Sequence, residues 1–186
     1  MITLAQLWVP IIGSAVVVFV LSSLIHMVFK WHGPDYRTLS NEDEVRAAIQ
    51  KASPAPGQYM IPYCADLKLM QTAEFQRKFV DGPVGHLVLR ARGVPRMGPA
   101  LGQWFAYSLL IAIFVAYLAA RTLPPAAGFA PVLRVVATVV FLAYGGGSVQ
   151  AGIWMGKPWN SVAKELGDAL IYGLGMGAVF GYFWPH

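Results

Sequence analysis

The chain has 186 residues, 56% of them hydrophobic and only 12% charged, with a mean hydropathy of +0.53. A soluble domain of this length carries roughly a quarter charged residues, so the apolar excess must face lipid. The net charge of +5 comes without a basic stripe interleaved with aromatics, which argues against a nucleic-acid partner. A single cysteine, Cys64, excludes an intrachain disulfide and any CxxC metal or redox motif.

The first apolar segment runs from about Leu4 to Phe29, roughly 39 Å as a helix, enough to cross a hydrocarbon core of about 30 Å. It lacks a positive n-region and an A-x-A cleavage site, so it reads as a retained span and not a signal peptide. Ser22 and His26 lie four apart on one face, Lys30 and Trp31 are interfacial anchors, and Gly33-Pro34 stops the helix.

Residues 32–99 form the water-soluble part, and the stretch Ser22–Tyr36 is the hinge between it and lipid. Ser40–Ala52 predicts an amphipathic helix capped by Ser40, followed by a Pro-rich break and a short strand beginning at Gly57. Asp66–Val80 predicts a second helix, and Val84–Arg92 a second strand that can pair with the first. A piece this small has little core of its own and is expected to lean on the membrane or a neighbour.

Three further spans come after it, over about 103–120, 132–154 and 162–184. Gly145-Gly146-Gly147 is expected to interrupt the third span of the chain. The fold class is thus a mainly α integral membrane protein: a four-helix transmembrane bundle with a small cytoplasmic α+β insertion between helices 1 and 2. The division is 1–31 (helix 1), 32–99 (insertion) and 100–186 (helices 2–4). Ten of the 14 lysines and arginines lie between residues 30 and 96. The positive-inside rule then puts the insertion in the cytoplasm and both termini in the periplasm.

Small residues recur every fourth position: Ser108, Ala112 and Ala116; Ser148 and Gly152; Gly173, Gly177 and Gly181. In lipid, close backbone approach through such rows supplies the packing. They close the bundle, serve a homo-oligomer interface or line a pore; Val179 is expected to face lipid. The segments SSLIHMV, WHGPDY, NEDEV, GQYMIP, GPVGHL and AYGGG resemble a family of four-span bacterial inner-membrane proteins of unassigned activity. That resemblance implies the architecture and the inner-membrane location, and no catalytic residue.

Polar side chains at membrane depth are costly and need a reason. His26, Asp168 and Gln150 fall at a similar level on the cytoplasmic side, so Ser22, His26, Gln150 and Asp168 make a candidate polar site, with His26 and Asp168 as a pair. They serve as a structural clamp, a proton- or ion-handling site, or a cofactor site. His32 and Asp35 are ligand types, but partners at a recognised metal spacing are missing and His86 is far away in sequence. Neither a metal nor any other cofactor is therefore expected. No G-x-S-x-G, H-E-x-x-H or P-loop occurs, so there is no catalytic residue to name.

Three classes of function fit these features. The first is a non-enzymatic accessory or scaffold subunit, partnered by lipid and by itself or another membrane protein. The second is a small oligomeric channel or transporter using the polar level. The third is a membrane subunit with a histidine-ligated cofactor. The first is favoured, because a transporter of this size usually shows internal repeats and none is visible here.

Overall fold

A computed structural model describes residues 2–185, which divide into two compact units: residues 37–95, and residues 2–36 together with 96–185.

The larger unit is helical. Helix α1 (Leu4–Phe29) opens with a 3-10 turn and ends in a π-helical turn over Leu24–Phe29. Helices α5 (Met97–Thr122), α6 (Phe129–Met155) and α7 (Trp159–Tyr182) complete it. Pro99 and Pro131 stand in the first turns of α5 and α6, Pro10 in the first α-helical turn after the 3-10 opening of α1, and Pro158 just before α7. Three helices, α1, α5 and α6, are long and apolar enough to cross a membrane. Helix α7 packs along α6 and α1, and α1 also packs on α5.

Small residues let these helices close. Ser108, Ala112 and Ala116 are fully buried on α5, and the two alanines join Val132, Val136 and Val140 of α6 and Met176 and Phe180 of α7 in one apolar cluster. On α7, a Cβ added at Gly173 would stand 2.8 Å from the Ala137 carbonyl oxygen, and one at Gly177 would stand 3.0 Å from that of Leu133. At Gly181 it would strike the Phe129 ring at 2.6 Å. The glycine row therefore meets α6 of the same chain. Gly175, on another side of α7, meets Leu21 of α1 at 2.7 Å. Gly152 of α6 receives Val162 and Trp159, while Ser148 is drawn into a hydrogen bond with Glu165 of α7.

Two expectations are corrected here. Helix α6 runs unbroken through Gly145–Gly147, because Gly145 is packed under Leu166 and Ala169 and helical backbone bonds in an apolar setting have no better partner. Val179 is not a purely lipid-facing residue: its Cγ1 lies 3.3 Å from the Cβ position of Gly13 on α1.

The smaller unit contains α2 (Glu42–Ala52), β1 (Gly57–Ile61), α3 (Leu67–Met70), α4 (Ala73–Asp81) and β2 (Gly85–Leu89). The strands pair antiparallel with Tyr59 opposite Leu87. The expected Asp66–Val80 helix is split at Thr72, whose hydroxyl accepts from the Phe75 amide at 3.3 Å and starts α4. Helix α2 begins after Asn41, one residue beyond the expected Ser40 cap, with Glu42, Asp43 and Glu44 in its first turn. No residue from 37 to 95 is buried.

Candidate functional site

The site is built where α1 ends. The π-turn adds one residue to the last turn and rotates the next residues by about 100° relative to an unbroken α-helix. Lys30 then takes a left-handed conformation (φ 51°), its amide bonding back to the Ile25 carbonyl at 3.0 Å. The Gly33 amide bonds to the Lys30 carbonyl at 2.9 Å, and a single 3-10 turn, Gly33–Asp35, comes next. This short stretch thus delivers His26, His32 and Asp35 against the first half of α7.

The contacts form a chain. Lys164 Nζ donates to Asp35 Oδ1 at 2.6 Å and to the Trp31 carbonyl at 2.8 Å. Asp35 Oδ2 is 2.8 Å from His32 Nδ1, and His32 Nε2 is 2.8 Å from Asp168 Oδ2. His26 Nε2 lies 3.7 Å from the same Asp168 oxygen, with the two imidazoles 4.9 Å apart. Asp168 is 5% exposed, and its Oδ1 has no hydrogen-bond partner among the described residues. One turn away, Glu165 accepts from Ser148 Oγ at 2.6 Å and pairs with Lys157.

His26, His32, Asp35, Lys157, Glu165 and Asp168 line one cavity of about 590 Å³ within the helical unit. Its other wall is aromatic. Trp104 sits at the centre, with Tyr144 and Tyr172 in edge-on contact and Tyr107 alongside at 5.9 Å. Trp104 is held in turn by its indole N–H, which donates to Ser22 Oγ at 2.8 Å.

The protonation pattern follows from the partners. The Lys164 ammonium holds the Asp35 carboxyl below the ordinary carboxylate range against the opposing effect of burial, and His32 and Ser161 add to the lowering. An ionised Asp35 only accepts, so it takes its hydrogen bond from His32 Nδ1, and the imidazole bridges it to Asp168 Oδ2, 2.8 Å from Nε2.

Of the residues expected to form a polar level, His26 and Asp168 do meet, though Asp168 is closer to His32. Ser22 is buried and acts through Trp104. Gln150 is exposed and lies outside the cavity lining, where Ser148 stands instead. Depth along the spans does not group His32, Asp35, Lys164 and Glu165 into a site, yet all four belong to it. Two signals in the sequence point to three of them: His32 and Asp35 at i, i+3, and Lys164 with Asp168 at i, i+4 on one helix face.

No family model, curated protein or solved structure matches this chain.

Proposed function

We propose that the chain is a bacterial inner-membrane protein with four spans that binds a small polar solute or ion in this cavity. Helix α7 is the fourth span. Its charges, Lys164, Glu165 and Asp168, are confined to its first three turns, and each has a partner of opposite or complementary charge in the same unit. The apolar remainder, with its glycine row, lies along α6. Positive charge concentrated in residues 30–96 supports a cytoplasmic location for the insertion and for the mouth of the site. An impermeant thiol reagent that labels Cys64 only after the membrane is opened agrees with this orientation; labelling in intact cells reverses it.

The single observation that carries the binding reading is Asp168. A bundle clamp gains most when every buried polar atom is satisfied, yet here one carboxylate oxygen is left without a partner among the described residues, beside a cavity, while His32 and His26 share the other. Groups kept in that state suit a ligand that completes them. The test is a thermal-stability screen of the purified protein against grouped solutes: monovalent cations, divalent cations, carboxylates, amines and amino acids. A ligand at 100 times its Kd stabilises the folded state by about 2.7 kcal/mol, a rise of about 5 °C or more in Tm for a chain of this size. The rise is expected to vanish in Asp168→Asn. Silence across every class returns the molecule to the scaffold reading.

That scaffold or accessory reading keeps one observation in its favour: residues 37–95 bury nothing among themselves, as expected of a part covered by a partner or a membrane surface.

A further inference from the structure

We infer that His26, His32 and Asp168 bind one divalent first-row transition-metal ion of the zinc type. The inference rests on the proposed binding cavity and names its ligand.

The three side chains offer one ligand atom each, and these atoms lie within 4.8 Å of one another. The His32–Asp168 and His26–Asp168 separations of 2.8 and 3.7 Å fall on either side of the ~3.3 Å between two ligands of a tetrahedral ion with bonds of about 2.0–2.1 Å. His26 is the ligand best able to adjust, because half of its side chain is exposed. The ion would sit among His26, His32 and Asp168 in place of the direct contacts they make with one another. It would also supply a charge near the unpartnered Asp168 Oδ1.

The surroundings are those of a metal ligand set. His32 has its other nitrogen fixed by Asp35, which Lys164 fixes in turn. A carboxylate behind a ligating imidazole sets its tautomer and raises its basicity. Two imidazoles and one carboxylate suit zinc, iron, cobalt or nickel. They do not suit magnesium or calcium, which need oxygen ligands throughout. Three protein ligands leave an open position, and here it faces a cavity, unlike the closed sphere of a structural site.

The test uses tag-free full-length protein in nanodiscs, stripped with a chelator and titrated with Co²⁺ while its visible absorption is followed. One Co²⁺ per chain, with ligand-field bands that Zn²⁺ abolishes, is the expected result. His26→Ala is the deciding variant, since His26 is the most exposed of the three ligands. It is expected to weaken Co²⁺ binding at least tenfold and to lower the Tm of the metal-free protein less than Asp168→Asn does. Asp35→Asn is expected to weaken binding by about 10- to 100-fold through the orientation of His32. Binding that His26→Ala and Asp168→Asn both leave intact overturns the assignment, as does no binding. If Co²⁺ fails while another solute class stabilises the protein through Asp168, the metal falls and the binding cavity stands. If every class fails, both fall.

Discussion

The two units of this chain are held together by different means. In the helical unit, Leu7, Val18, Ala112, Val136, Met176 and Phe180 are all removed from solvent, and glycines bring α7 against the α6 backbone. In residues 37–95 nothing is buried, and order comes from local devices: the Thr72 cap, the Asp66 side chain accepting from the Lys68 amide at 2.8 Å, and a five-residue strand pair. An interlocked unit transmits the effect of one substitution across several helices, because packed interiors have no slack. A unit of local hydrogen bonds confines the effect to one turn.

The helical unit is most vulnerable at Asp168. Replacing it with Leu removes the shared partner of His32 and His26. Leaving a buried polar partner unsatisfied costs roughly 1–3 kcal/mol, and more where a charge is involved. His32→Leu in the Asp168→Leu background is expected to recover part of that loss. A chemical- or thermal-denaturation cycle measures it, and strictly additive losses would show that the two side chains are not energetically coupled.

Next comes the glycine row. Gly177→Leu pushes a side chain into the Leu133 backbone, and overpacking of this kind costs about 1–3 kcal/mol. Ala178→Leu, one residue along on the exposed face, is expected to stay within about 0.5 kcal/mol. Equal tolerance at the two positions would mean that α6 and α7 are not in backbone contact.

The smallest effect is expected in the other unit. Thr72→Ala removes the α4 cap at a cost of about 1 kcal/mol, and the loss should stay local. Amide exchange should accelerate around Phe75 and Gln76 and remain unchanged in α5 to α7. A lowered Tm for the helical unit would show that the two units unfold together.

Much of the fold was legible because its cause is one-dimensional. Apolar runs of about 20 residues, Gly-Pro breaks and cap residues act on their own neighbours. The long helices, the strand pair and the turn after α1 can therefore all be read along the chain. The ends shifted where capping competed, as at Asn41 and Thr72. The triple glycine misled because its propensity for a break says nothing of Leu166 and Ala169, which cover Gly145 and hold the helix straight through it.

The site was half legible, and the reason is again physical. Composition and pattern determined that the chain is helical and suited to a membrane, that polar groups on its apolar helices are few, and that His26 and Asp168 are two of them. Which of those groups touch depends on helix rotation, and one extra residue in the π-turn changes that rotation by about 100°. Only the tertiary structure decided that His32 and not Gln150 joins Asp168, that Lys164 reaches back 129 positions to Asp35, and that one oxygen of Asp168 is left facing an unfilled demand. A sequence states which charges must be neutralised; the packing angle of α7 against α1 states by whom.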